Sequence, residues 1–148
     1  MIKRFPKYKQ LYAKDCGPAC LKIVAQYYNK TIPIETLRNL SETNRIGTNL
    51  ENLGNASEEI GFRSLGVKLS LDEIEEAHLP CVLHWEKAHY LVLYKIYKGM
   101  YYISDPALGL CKYNEKEFLN YWIGTDKTRN TKDRTVFLTN RKHRYNST

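Results

Sequence analysis

Residues 9–20 read Lys9-Gln10-Leu11-Tyr12-Ala13-Lys14-Asp15-Cys16-Gly17-Pro18-Ala19-Cys20. From Gly17 to Tyr28, the side chains of Cys20, Leu21, Val24, Tyr27 and Tyr28 recur on one 3.6-residue face, which predicts an amphipathic helix. Gly17 and Pro18 suit its first turn, where proline costs no hydrogen bond. Cys16 therefore falls at the helix start. The unpaired N–H groups and positive dipole end of such a place favour a thiolate over a thiol. The same N–H groups can receive a developing oxyanion, and Gln10, a little upstream, can add a side-chain donor. On position alone, Cys16 reads equally well as a small residue at a turn.

A thiol nucleophile needs a base, usually a histidine oriented by a third group. Of the four histidines, His78 ends an acidic helix and reads as solvated, and His143 lies in a basic tail. His84 and His89 flank Trp85-Glu86-Lys87-Ala88 at the mouth of two expected strands. The run His89 to Tyr97 (HYLVLYKIY) is β-branched and aromatic, Lys98-Gly99 reads as a turn, and Met100 to Ser104 completes a hairpin. That hairpin returns Asp105 to the end that carries His89, although Asp105 also reads as a plain Asp-Pro turn starter. Cys20, one turn beyond Cys16, reads as a small core residue, since a redox pair favours Cys-x-x-Cys. A zinc site of Cys16, Cys20, His84 and His89 has tolerable cysteine spacing but no strong support from its histidines.

Working outward, Thr31 to Pro33 breaks the first helix and Ile34 to Leu40 predicts a second. A third is expected over Thr48 to Ile60, stopped by Gly61. Phe62 to Leu69 reads as a strand, and Ser70-Leu71-Asp72-Glu73 is a capping box opening a short acidic helix that stops before Pro80. Cys81 to Trp85 is a short apolar strand, and Asp105-Pro106-Ala107-Leu108-Gly109 is a loop. Asn114 caps a helix through about Trp122, Val136 to Leu138 is a last strand, and from Thr139 the chain is polar and basic. Helices first and an antiparallel sheet second make an α+β domain, with no internal repeat.

The 148 residues suit one domain, and 43% apolar with 26% charged residues is globular composition. The +7 net charge is unevenly spread: residues 1–14 carry +5, residues 15–126 carry −4, and residues 127–148 carry +6. A mildly acidic body with basic ends argues against a nucleic-acid partner. No apolar run has the length of a membrane helix, and the first residues carry no secretory signal. We therefore expect a domain that is cytoplasmic or faces the cytoplasm, with its cysteines as thiols.

The residues Gln10, Asp15-Cys16-Gly17-x-Ala19-Cys20-Leu21, Gly47-Thr48, Leu50 and Gly61-Phe62 together resemble the N-terminal peptidase domain of bacteriocin-processing ABC transporters. Pro80, His84-Trp85, His89-Tyr90-Leu91-Val92-Leu93, Tyr102-Ile103-x-Asp105-Pro106-Ala107-x-Gly109, Phe118 and Trp122 continue the resemblance, which spans about residues 8 to 139. It implies a papain-like cysteine peptidase, with a helical lobe packed on an antiparallel sheet lobe and the active site in the cleft between. It implies Cys16 as nucleophile, His89 as general acid and base, Asp105 as its orienting carboxylate and Gln10 as an oxyanion donor. The implied substrate is a precursor peptide with a helical double-glycine leader, cut after Gly-Gly or Gly-Ala. Some relatives in this family lack the cysteine and only dock the leader; here all four positions are filled. No cofactor or metal is implied for the peptidase domain, ATP and Mg belonging to the transporter part. The implied partners are the transmembrane and ATP-binding parts of that transporter, on the cytoplasmic side of the bacterial cell membrane. Residues 1–139 would then be the peptidase domain and residues 140–148 a basic linker toward the membrane, where excess Lys and Arg is expected.

Overall fold

A computed structural model of the chain describes residues 4–42, 47–85 and 89–124 and, as backbone, 133–140. A single 3-10 turn, Ala13–Asp15, leads into α1 (Cys16–Tyr27), followed by α2 (Ile34–Leu40) and α3 (Leu50–Glu59). Then come β1 (Phe62–Leu69), α4 (Leu71–Glu75), β2 (Cys81–Trp85), β3 (His89–Tyr97), β4 (Met100–Asp105), β5 (Gly109–Asn114), α5 (Glu115–Trp122) and β6 (Asp133–Asn140). The strands form one antiparallel sheet in the order β1-β6-β2-β3-β4-β5.

The two faces of the sheet are covered by different helices, because the strands alternate. On β3, Tyr90 and Val92 join a core with Cys20, Leu21, Val24, Leu37, Leu53 and Phe62 from the first three helices and β1. Leu91 and Leu93 point the other way, into a core with Leu71, Ile74, Trp85, Tyr101, Phe118 and Trp122 beneath α4 and α5. Helix α1 is buried almost all round over Cys16 to Ala25, with only Lys22 half-buried, because it lies against β3 and also against α2 and α3. Tyr27, expected on the buried face, is 45% exposed at the helix end, where it meets Phe5.

Several sequence expectations shift. The third helix begins at Leu50, not Thr48, because Asn49 takes the N-cap and accepts a hydrogen bond from Asn52 N. The capping boxes Ser70/Glu73 and Asn114/Glu117 are both formed. The acidic helix ends early, at Glu75, leaving His78 exposed. The expected loop over Asp105–Gly109 is a tight connection between β4 and an extra strand, β5, which runs directly into the Asn114 cap. The final strand is longer than Val136–Leu138 and pairs with both β1 and β2. His143, Glu86 to Ala88 and the tail from residue 141 lie outside the described residues. Among the described residues, no helix is long and apolar enough to cross a membrane.

Candidate active site

The sheet register builds one half of the site. Lys98 and Gly99 both have positive φ, 49° and 74°, the backbone of a two-residue turn that matches strand twist. The resulting hairpin pairs Val92 with Ser104, so Asp105 falls one step nearer to His89. Side chains diagonal to one another across a strand pair are within reach of long groups, and His89 Nε2 lies 2.8 Å from Asp105 Oδ1. The Asp105 side chain is only 4% exposed, and the same oxygen accepts the Ala107 N–H at 2.7 Å. A carboxylate fixed by a backbone donor holds the imidazole with hydrogen on Nε2, which leaves Nδ1 for the other side of the site.

On that other side is Cys16, the first residue of α1 and 6% exposed. His89 hydrogen-bonds Cys16 as well as Asp105. Partial burial opposes the charged imidazole, but hydrogen bonds to Asp105 and Cys16 and their negative charges outweigh it, pushing His89 up to about 9. The imidazole thus stands between a buried carboxylate and the sulfur at the first turn of α1. Burial pushes the thiols of Cys20 and Cys81 upward, and it does the same, less completely, for Cys111. All four cysteines are free thiols.

Gln10 sits close by, anchored through its backbone N–H to the Pro106 carbonyl at 2.8 Å, in the loop after Asp105. Its amide does not stand open. Nε2 donates to the carbonyls of Tyr12 at 3.0 Å and Ala13 at 3.3 Å, and its buried Oε1 has no partner. The two carbonyls fix which end of the amide is the nitrogen.

Three further contacts escaped the sequence reading. Asp15 is fully buried and meets Arg38 of α2 through both oxygens, at 2.9 and 2.7 Å. Tyr90, next to His89, donates its hydroxyl to the Thr48 carbonyl at 3.0 Å. Gly17 has no room for a side chain, since a Cβ there would collide with the Thr48 methyl and press on Leu53. A glycine beside the candidate nucleophile Cys16 was visible; the neighbour that requires it was not. The residues weighed as a zinc site do not converge: Cys20 is wholly buried in the helical core, His84 packs on Tyr90, and no metal-binding cluster forms among the described residues.

Beyond His89 and Asp105 opens a cleft of about 370 Å³ lined by Trp85, Leu108, Tyr113 and Tyr121. Its walls are aromatic, with Trp85 contacting both tyrosine rings. A larger cavity of about 730 Å³, between Phe5, Tyr27, Tyr94 and Tyr102 at the far end of α1, contains none of the candidate residues.

Known proteins resemble the chain in sequence and fold. The Peptidase C39 family matches residues 4–131. The chain is 30% identical over 122 residues to the colicin V secretion/processing ATP-binding protein CvaB of Escherichia coli, covering 82% of this chain and 18% of that protein. It is 32% identical over 117 residues to the lactococcin-G-processing and transport ATP-binding protein LagD of Lactococcus lactis, covering 75% of this chain and 17% of that protein. The chain thus spans less than a fifth of the length of these relatives. A double glycine motif protease from an AMS/PCAT transporter, solved in complex with the leader peptide, superposes with a TM-score of 0.82 at 28% identity, over 93% of this chain and 92% of that one. The peptidase domain of Streptococcus ComA, a bi-functional ABC transporter, gives 0.79 at 26% identity, over 92% and 98%. In fold and sequence, the chain belongs to the Peptidase C39 family of cysteine peptidases.

Proposed function

We propose that this domain is an endopeptidase that removes double-glycine leaders from peptide precursors, working within an ABC-type peptide exporter. The observation that carries the reading is the contact chain from Cys16 through His89 to Asp105 at the first turn of α1. The names of the relatives, which process and transport bacteriocins, supply the substrate class.

In this reading Cys16 Sγ, as thiolate, attacks the carbonyl carbon after the second small residue of the leader. The C=O π electrons move to oxygen, and the oxyanion lies at the positive end of α1. Gln10 adds its amide N–H once the longer bond, to Ala13, is exchanged for the substrate oxygen. His89, protonated and held by Asp105, gives its proton to the leaving nitrogen, so the C–N bond breaks and a thioester remains. Water then attacks the thioester, neutral His89 takes the water proton, and the leader leaves as a carboxylate while thiolate and imidazolium are restored. Glycine or alanine before the cut would bring the leader backbone close to the aromatic-lined cleft beside His89. The domain needs no cofactor; ATP and Mg belong to the transporter's ATP-binding part. Docking beside the transmembrane part would place it at the cytoplasmic membrane face, with residues 141–148 as the basic linker, one residue later than expected because Asn140 still pairs with Phe62 in β6.

The test is incubation of the purified domain with a synthetic double-glycine precursor, followed by mass spectrometry. Cleavage after the second glycine is expected. Cys16→Ala should abolish it while retaining leader affinity by calorimetry. Undiminished cleavage by Cys16→Ala, or leader binding without cleavage by the native chain, overturns the reading, the second in favour of a docking domain.

A further inference from the structure

Asp15 is the N-cap residue of α1, and a short carboxylate there ordinarily accepts hydrogen bonds from the first helical turn. Here its side chain makes no cap bond. Both oxygens are turned away to the Arg38 guanidinium. Pro18, at the third helical position, also lacks the N–H that such a cap most often uses. We propose that Arg38 is a positioning residue for Cys16: it holds the Asp15 carboxylate off the helix N-terminus, which the thiolate and the oxyanion must occupy instead. The inference rests on the peptidase reading of Cys16.

The physical conflict is direct. Asp15 and Cys16 are neighbours, both buried, and their negative charges compete for the same positive helix end. An unpaired buried carboxylate beside a sulfur disfavours the thiolate. Arg38 removes the conflict twice, by cancelling the charge and by fixing the direction of the carboxylate with a two-bond fork that lysine cannot reproduce. The groups gathered around Cys16 are Asp15 from the turn before it, Cys20 from α1, His89 from β3 and Asp105 from β4, with Arg38 of α2 behind Asp15. His89 and Asp105 supply the activating pair. Asp15 is the one negative group of the set with no part in it. Arg38 also lies over the Tyr12 ring at 5.6 Å, and the Tyr12 carbonyl holds both the Gln10 amide and the Asp15 N–H. One side chain of α2 thus steadies the turn that presents the thiol and the amide together.

The experiment compares native chain, Arg38→Ala and the double variant Asp15→Ala/Arg38→Ala. The readout is Cys16 alkylation by iodoacetamide at pH 6.5, located by mass spectrometry, at a temperature where circular dichroism shows each protein folded. Alkylation needs no precursor, so its result stands even where the proposed substrate is wrong. Arg38→Ala should slow it about tenfold, one unit of differential charge interaction, and the double variant should return to within about threefold of native. With a cleaved precursor, kcat should follow the same order while KM stays within about twofold, and the acidic limb of the pH profile should move upward only in the single variant. If Arg38→Ala does not fold, Arg38→Lys replaces it, with a smaller loss that the added Asp15→Ala again reverses. A double variant no faster than the single one, or native alkylation in the single, overturns the proposal, because an ion pair that serves stability alone is regained in the melting temperature and predicts no change in the alkylation rate of the folded protein.

Discussion

The two faces of the sheet are packed alike and used differently. The face under α1, α2 and α3 holds Cys16 and closes around it with a half-buried ion pair, a glycine without room and a tyrosine hydroxyl. The face under α4 and α5 is an aromatic core of Trp85, Tyr101, Phe118 and Trp122, with rings 4.4 to 5.5 Å apart, and it opens into the cleft beside His89. His89 has the parity of Leu91 and Leu93, so it comes from the aromatic side and reaches Cys16 around the end of β3. The comparison teaches that thiol and imidazole are positioned by separate cores. Damage to one core should show in chemistry, and damage to the other first in stability.

The largest effect tests the join itself. His89→Ala leaves both cores intact and should lower kcat about 10³-fold or more, the upper range of acid–base contributions, with a smaller loss of stability because the buried Asp105 carboxylate loses its imidazole partner. A loss below about tenfold would mean that another group serves Cys16. Next in size is the aromatic face. Phe118 is fully buried and stacks on Tyr101 at 4.4 Å. Phe118→Ala should cost about 3–5 kcal/mol in urea unfolding, while kcat of the protein still folded stays within a few fold.

Gly17→Ala tests the other face. Its new methyl meets Thr48 and Leu53, and whatever moves to admit it moves the start of α1. Overpacking costs about 1–3 kcal/mol, less than the Phe118 cavity, yet kcat should fall at least tenfold because Cys16 is displaced. Reversal of the two activity effects would break the comparison. The pH dependence sharpens it. His89 is raised in the fold to about 9 from an ordinary 6.5, with burial opposing and Asp105 and Cys16 prevailing. Its protonated form therefore adds stability that is complete below the unfolded value and fades as pH rises toward 9. The basic limb of kcat/KM should lie near pH 9, and Asp105→Asn should bring it down toward neutrality, measured on the precursor from pH 5 to 10.

How far the sequence carried differs along the same line. The His89–Asp105 pair was legible because a two-residue turn at Lys98-Gly99 fixes register, and register fixes which side chains face one another. Helix α1 and the place of Cys16 were legible from periodicity and Pro18. What no local pattern encodes is pairing between elements. Asp15 finds Arg38 across two helices, and Gly17 finds Thr48 across the α2–α3 connection. The Gln10 amide is turned to Tyr12 and Ala13 by the path of its own turn, which residue spacing alone does not specify. Strand β5 was missed because Gly109 to Asn114 alternates weakly and ends in a helix cap, so its strand character comes from lying against β4.

The smallest effect expected is at the Asn114 cap. Its side chain accepts the Glu117 N–H at 2.9 Å while the Glu117 carboxylate accepts the Asn114 N–H at the same distance. Asn114→Ala removes one arm of this box and should cost about 1 kcal/mol. Helix α5 would keep its place, because Phe118 and Trp122, four residues apart on its buried stripe, are held by the aromatic core and not by the cap. Only its first turn should fray, and Tyr121, the α5 residue that lines the cleft, lies in the last turn. Precursor cleavage should therefore be unchanged in both kcat and KM while the melting temperature falls by a few degrees. A fall in kcat comparable to that of Gly17→Ala would mean that the aromatic face transmits small local losses to Cys16 as readily as the helical face does, and the two cores would have to be treated as one mechanical unit.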